Sequence, residues 1–346
     1  MRIVHVIWDM SIGGAETMLV NIINEQVKSQ SVELFIVNND FTEILTRKIS
    51  KKCCIKYINR NKGSRSILPI LKLNIEMLRF NPDIIHVHSA ELHKLIFTQK
   101  PIVCTFHAPP LYLYPKINKL HKVYAISKSV KAKLKEKGVD SYIIENGIPT
   151  SSISFKNTIE QPSIYQIVQV SRLLSWNKGQ DILLGALSIL VNERGIKNFH
   201  MSFIGDGPSE EELKQMTFNY GLQDYVSFLG KQDRDFIFAH LCDYDLFVQP
   251  SKFEGFGLTV AEAMAAKLPV IVSDIEGPME IIENGKYGIH FVSENIIDLA
   301  DKIETVLKGN YNYSMIEKAY SHVMERYDVT NTAQQYIEEY HNITGK

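Results

Sequence analysis

The stretch LFVQPSKFEGFGLTVAEAMA, residues 246–265, decides the reading of the fold. Leu246-Phe247-Val248 is a short apolar run of the kind that forms a buried strand. A polar loop containing Gly255 and Gly257 follows, and a helical pattern begins at Leu258. Strand, glycine loop and helix in that order form the repeating unit of a parallel sheet. The same alternation extends outward in both directions. In the second half, strands are expected near 164–171, 199–204, 225–229, 244–248, 269–273 and 288–292, with helices near 180–194, 209–220, 258–267 and 294–308. In the first half, strands are expected at 2–8, 32–38, 83–88, 101–106, 121–126 and 141–145, with helices at 15–29, 66–80 and 127–137. Residues 146–163 are polar, hold two prolines and lack a period, as a linker does. The segment after Arg326 reads as helical. The fold class expected is α/β, with two doubly wound, Rossmann-like domains. Ligands of such sheets bind beyond the carboxyl ends of the strands. With two sheets facing each other, the natural site is the cleft between the domains.

Composition narrows the class. At 346 residues and 45% hydrophobic, the chain has enough apolar material for two cores, which excludes wholesale disorder. No apolar run reaches the roughly 18 residues of a membrane-spanning helix. The opening MRIVHVIWDM alternates like a strand and lacks a signal-peptide profile, so a cytoplasmic location is expected. Cys53, Cys54, Cys104 and Cys242 are too few and too scattered for a disulfide framework or a zinc site.

The net charge of -1 conceals a division. Residues 1–150 carry 22 basic and 12 acidic side chains, a net +10, and the remainder carries a net -11. Such a split points to an anionic partner for the basic half. Between Ile44 and Ile75 there is no acid, but nine bases: Arg47, Lys48, Lys51, Lys52, Lys56, Arg60, Lys62, Arg65 and Lys72. A second cluster runs from Lys116 to Lys137, and the apolar, aromatic segment Pro109–Pro115 lies between the two. An anionic membrane surface is the expected partner, because bases hold the headgroups while Leu and Tyr enter the interface. No nucleic-acid reader motif is present, and nucleic acid is not expected.

Chemistry should sit at strand ends. The first strand runs into Ser11-Ile12-Gly13-Gly14-Ala15-Glu16 and a helix. Gly13 and Gly14 let backbone approach a ligand closely, and the helix start favours an anion. The G-x-G-x-x-G spacing of dinucleotide sites is missing. Val170-Ser171 delivers Arg172 and then Lys178 into the loop before a helix. Arg can fork to two oxygens and Lys acts as a mobile point charge, so the pair suits a diphosphate. Gly205-Asp206-Gly207-Pro208 ends another strand, as a tight turn or as a lining of the same site. In the opening stretch, Gly257, Leu258 and Thr259 offer free N–H groups at a helix start. Glu254 and Glu262 offer acceptor-only carboxylates that suit ligand hydroxyls. His107 follows a strand in the first half. His86, His88 and His93 make a metal conceivable, but no acidic or thiol ligands accompany them, and no metal is expected. Asp243 and Asp245 resemble an Asp-x-Asp metal motif, but lie at the start of a strand and are read as structural.

Taken in order, these motifs resemble glycosyltransferase family 4, retaining enzymes of the GT-B fold that use nucleotide sugars. The resemblance is carried by Gly13-Gly14-Ala15-Glu16, Val170-Ser171-Arg172-Leu173 with Lys178-Gly179, Gly205-Asp206-Gly207-Pro208, the pair Glu254 and Glu262, Pro269-Val270, and Gly277-Pro278-Met279-Glu280. It covers nearly the whole chain. It implies an acceptor-side domain of residues 1–158 rejoined by a helix of 328–346, and a nucleotide-sugar-binding domain of residues 159–327. Arg172 and Lys178 would hold the diphosphate, and Glu262 the ribose hydroxyls. Glu254 would lie against the sugar, with Phe256, Gly257 and Leu258 supplying backbone groups. Gly13 and Gly14 would close over the phosphates, and His107 would stand beside the donor sugar.

The activity implied is transfer of a hexose or N-acetylhexosamine to a hydroxyl of a lipid-linked glycan or surface-polysaccharide precursor, such as capsule or O-antigen. UDP-sugars are the expected donors and GDP-sugars the alternative. No further cofactor is implied. The location implied is cytoplasmic, with a peripheral place on the inner face of the cell membrane. A nucleotide-sugar epimerase or hydrolase on the same fold, or a non-catalytic partner of a transferase, are the rival readings.

Overall fold

The computed structural model describes residues 1–11, 13–108, 117–157 and 161–346. The chain divides into two compact units, Met1–Ile148 with Tyr327–Lys346, and Pro149–Arg326.

The first unit contains β1 (Arg2–Ile7), α1 (Gly14–Gln26), β2 (Ser31–Asn38), α2 (Glu43–Arg47), β3 (Cys54–Arg60), α3 (Leu68–Phe80), β4 (Ile84–Val87), β5 (Ile102–Phe106), β6 (Lys122–Ala125), α4 (Lys128–Glu136) and β7 (Tyr142–Ile143). Its seven strands are ordered β3-β2-β1-β4-β5-β6-β7 and pair in parallel. The adjacent strands β1, β4 and β5 are mostly apolar because both faces of a parallel sheet are covered. Ile3, Val4, Val6, Ile84, Ile85, Val87 and Val103 are all fully buried.

One strand escapes the hydropathy pattern. CIKYINR, now β3, lies at the sheet edge and is half exposed over most of its length, so it lacks a buried apolar run. The two basic clusters also separate. α3 packs on β3 and β2, whereas α4 packs on β6 and β7, so they flank opposite edges of the sheet.

The second unit contains β8 (Tyr165–Val170), α5 (Ser175–Lys178), α6 (Gln180–Ser188), β9 (Phe199–Ile204), α7 (Glu210–Asn219), β10 (Val226–Phe228), α8 (Arg234–His240), β11 (Leu246–Gln249), α9 (Leu258–Ala265), β12 (Val270–Ser273), α10 (Glu276–Ile281), β13 (Ile289–Phe291), α11 (Ile296–Leu307) and α12 (Ser314–Arg326). Its strands are ordered β10-β9-β8-β11-β12-β13, again parallel. β8 and β11 lie side by side although α6, α7 and α8 separate them in sequence, so the strand order reverses here. Such a switch point is where open α/β sheets bind ligands.

The passage between units falls at Ile148–Pro149, ten residues before the boundary expected at 158. Residues just after it are already tied to the second unit. Ser154 N donates to Phe238 O and Lys156 N to Ala266 O, and the Lys156 ammonium pairs with Asp245.

The chain returns through α13 (Val329–Thr344), which packs on α1 in the first unit. Ile148 and Asp328 form an isolated parallel bridge at that crossing. Within the unit, Tyr340 Oη lies 2.6 Å from His86 Nδ1 and Tyr336 Oη 2.8 Å from Thr105 Oγ1.

Candidate active site

In the second unit, loops after β8, β9 and β11 are held together by contacts that only glycine allows. Gly205 has φ +145, and a Cβ there would lie 1.9 Å from Ser171 O. Gly179 has φ +68, and its Cβ would lie 1.9 Å from Pro250 O. The β9 loop therefore lies against the β8 loop, and the start of α6 against the end of β11. Buried Gln180 ties the first of these down, donating to Ser171 Oγ at 2.9 Å and to Arg172 O at 3.0 Å.

This scaffold places the expected side chains unequally. Arg172 is exposed and has no ion-pair partner among the described residues. Lys178, the last residue of α5, directs its ammonium to Glu254 Oε2 at 2.6 Å. Buried Gln249 connects that pair to α9, because its Nε2 donates to Glu254 Oε2 at 3.3 Å and its Oε1 accepts from Thr259 Oγ1 at 2.6 Å. The Thr259 side chain is thus engaged. Phe256 is buried, Leu258 and Thr259 open α9, and Gly257 is the preceding residue.

Glu262 is only 1% exposed. Its Oε1 is paired with Arg234 Nη2, and its Oε2 has no partner among the described residues. Burial raises the Glu262 carboxyl above its ordinary pKa, and the Arg234 guanidinium opposes that shift. Sequence reading missed Arg234. It opens α8 under a cap in which Asp233 accepts from Phe236 N at 2.7 Å, and nothing in the sequence links it to a carboxylate 28 residues away.

The acidic pair set aside as structural also has partners. Asp243 Oδ2 lies 2.8 Å from His240 Nδ1, and Asp245 Oδ2 accepts from Gln166 N at 2.8 Å.

In the first unit, Gly13 caps α1 and Gly14 is its exposed first residue. A Cβ on Gly13 would lie 2.4 Å from Glu16 Oε2, so that carboxylate folds over the turn. His107 lies just past β5 with Nε2 3.0 Å from His88 Nδ1. Burial lowers its pKa to about 4, so it is neutral at pH 7.

His86 and His88 stand on one face, as their alternate spacing implies. Parallel registration of β1 and β4 brings His5 beside them, which the sequence pattern did not reveal. Ring nitrogens of these three lie within 4.8 Å of one another, close enough for a metal ion. All six ring nitrogens nevertheless have hydrogen-bond partners already: Gln26, Thr105, Tyr340, His107 and each other. The arrangement is that of a satisfied polar layer. His93 lies apart from it, with Nδ1 bonded to Ala90 O.

Two family models cover the chain from residue 12 to residue 322. Glycosyltransferase Family 4 matches residues 12–152, and Glycosyl transferases group 1 matches residues 152–322. The chain belongs to this group, glycosyltransferase family 4, a family of retaining transferases with the GT-B fold. It is 27% identical to the sulfoquinovosyl transferase SQD2 of Arabidopsis thaliana over 73% of this chain and 55% of that one. It spans about half the length of the curated relatives it matches first. Among solved structures, a glycosyltransferase of Rickettsia africae superposes with a TM-score of 0.82 at 22% identity, over 99% of this chain and 98% of that one. Anabaena HepE, solved with UDP and glucose, superposes with a TM-score of 0.78 at 21% identity, over 97% and 98%.

Proposed function

We propose that the protein is a retaining glycosyltransferase that takes a hexose or N-acetylhexosamine from a nucleotide-diphosphate sugar. The observation that carries this is the set of groups at the carboxyl ends of β8 and β11. An unpaired Arg172 and the Lys178 ammonium are the cations for a diphosphate. The unpartnered Oε2 of Glu262 is an acceptor for a ribose hydroxyl. Glu254 faces the transferred sugar, and the backbone at Phe256, Gly257, Leu258 and Thr259 takes up phosphate and sugar oxygens. Arg172 and Lys178 stabilise charge on the departing diphosphate, an electrostatic task. Gly205 shapes the site by letting the β9 loop approach. In the first unit, Gly13 and Gly14 form the anion-binding turn, and His107 meets a sugar hydroxyl. A uridine donor is the reading we favour, supported by the UDP in the Anabaena structure.

The acceptor is a hydroxyl of a lipid-linked glycan or surface-polysaccharide precursor, reached at the inner face of the membrane. The segment Pro109–Pro115 lies outside the described residues, and α3 supplies the support instead. Leu68, Leu71, Ile75 and Leu78 recur at helical spacing and are 71, 47, 49 and 73% exposed. Lys72 and Arg79 are exposed beside them, and Lys62 and Arg65 precede them. An apolar stripe within a basic field fits an anionic lipid surface.

A thermal-shift panel of nucleotide sugars and free nucleotides tests the donor reading. Saturation at about 100 times Kd adds roughly 2.7 kcal/mol and raises Tm. A shift with a UDP-sugar and UDP supports the reading, and a shift confined to guanosine compounds replaces the base. No shift with any donor at millimolar concentration overturns it.

A further inference from the structure

Gln26, His5, His88 and His107 form one unbroken chain of hydrogen bonds across the first sheet. Gln26 Oε1 lies 2.7 Å from His5 Nε2, His5 Nδ1 lies 3.0 Å from His88 Nε2, and His88 Nδ1 lies 3.0 Å from His107 Nε2. The rings meet nearly in plane, with interplanar angles of 29° and 26° and centroids 5.3 Å apart at both junctions. That is the direction in which a ring nitrogen donates or accepts. At the far end, His107 Nδ1 is buried and has no hydrogen-bond partner among the described residues.

The position of every proton in the chain follows from its first member. An amide oxygen only accepts, so His5 Nε2 carries the hydrogen. Burial holds all three rings neutral, with His5 and His107 lowered to about 4 and His88 well below its ordinary value. A neutral imidazole has one N–H, so His5 Nδ1 is bare and accepts. His88 Nε2 must then donate, which leaves His88 Nδ1 bare, and His107 Nε2 must donate in turn. His107 Nδ1 is left with a lone pair.

We propose that Gln26, His5 and His88 are positioning residues that fix His107 in its Nε2–H tautomer, so that Nδ1 is presented beyond β5 as a hydrogen-bond acceptor for a ligand hydroxyl. Turning the Gln26 amide over would place an N–H group against His5. Each ring proton would then move to the opposite nitrogen, and His107 would present a donor. A single amide, fully buried on α1, thus sets the polarity of a group three hydrogen bonds away from it. The amide nitrogen has Tyr340 of α13 as its polar neighbour, although it makes no hydrogen bond of good geometry. Assignment of the hydroxyl to a sugar rests on the transferase reading; assignment of the tautomer does not.

Long-range ¹⁵N–¹H correlation spectra of the ¹⁵N-histidine-labelled full chain at pH 7.5 test this without any ligand. His107, identified by loss of its signals in a His107→Gln variant, is expected with Nε2 protonated and Nδ1 at the unprotonated position. A Gln26→Met variant removes the amide oxygen at similar volume and is expected to give His107 signals averaged between the two tautomers. An Nδ1–H tautomer in the wild type overturns the proposal, as does a Gln26→Met spectrum in which His107 is unchanged. If Gln26→Met does not fold, the wild-type spectrum decides alone. A failed donor screen would leave the tautomer where it is, so the two readings fail separately.

Discussion

Lys178 Nζ stands 2.6 Å from Glu254 Oε2, joining two loops that lie 76 residues apart in the sequence. Both side chains are about one-fifth exposed. The carboxylate holds the ammonium at the strand ends, where an arriving diphosphate would compete for it. Replacing Lys178 with Ala is therefore expected to lower kcat by about 10²–10³, the usual cost of losing one preorganised group that stabilises developing charge. Arg172→Ala should show a loss of the same order. Steady-state kinetics with the donor found by thermal shift measures both, and full activity in either variant refutes the assignment.

Glu262 and Arg234 form a pair in which only the carboxylate is fully enclosed, with side-chain exposures of 1% and 27%. Arg234→Met leaves the carboxylate without its cation and should destabilise the fold by about 2–3 kcal/mol, at or below the lower end for breaking a buried pair. Adding Glu262→Gln should recover part of that loss, since a neutral amide needs no counter-charge. Urea denaturation of the two single variants and the double variant gives the coupling. A double variant no more stable than Arg234→Met contradicts it.

The histidine layer predicts a pH dependence of definite sign. His5 is fully buried and its pKa is lowered to about 4, mainly by desolvation. Its unfolded value is near 6.5, so between pH 6.5 and pH 4 the unfolded chain binds more protons than the folded one. Stability should be intact above pH 6.5 and fall as the pH drops toward 4. His5 alone accounts for about 3 kcal/mol at 1.36 kcal/mol per unit. His86, His88 and His107 are shifted in the same direction. Denaturant midpoints measured across that range check this, and a His5→Gln variant that folds should show a shallower decline.

Gly205→Ala is expected to cost about 2–3 kcal/mol, because its new methyl would meet Ser171 O in a backbone region that L side chains rarely adopt. Chemical denaturation measures the loss. Donor affinity should fall as well, because the displaced loop carries Arg172. A neutral substitution would show that the β8 and β9 loops do not depend on this approach.

The α3 stripe makes a separate prediction. Wild-type protein should co-sediment with anionic vesicles at low salt and be released as salt rises. Leu71→Asp combined with Ile75→Asp changes two exposed positions, so it should abolish sedimentation while leaving Tm nearly unchanged. Equal binding by the variant would remove α3 from the membrane reading.

Most of the architecture could be read from the one-dimensional pattern, because a buried parallel strand must be almost continuously apolar. β1, β4, β8 and β11 come close to that requirement, and glycine loops follow β1, β8 and β11 in sequence. β3 escaped because it lies at the sheet edge, half exposed and without an apolar run, and α8 because seven residues are too few to set a helical period. The residue types at the strand ends, Arg172, Lys178, Glu254 and Glu262, were legible for the same local reason.

Their relationships were not. The contact between Lys178 and Glu254, the pairing of Glu262 with Arg234 and the arrival of His5 beside His86 and His88 all depend on strand order and register. The division of the basic residues between opposite sheet edges depends on them too. The sequence by itself determined which chemical groups stand at the ends of the strands, since periodicity and turn chemistry are local. Only the tertiary structure decided which of them touch, which are left unpaired and which are held neutral, because desolvation and hydrogen bonding are set by residues distant along the chain.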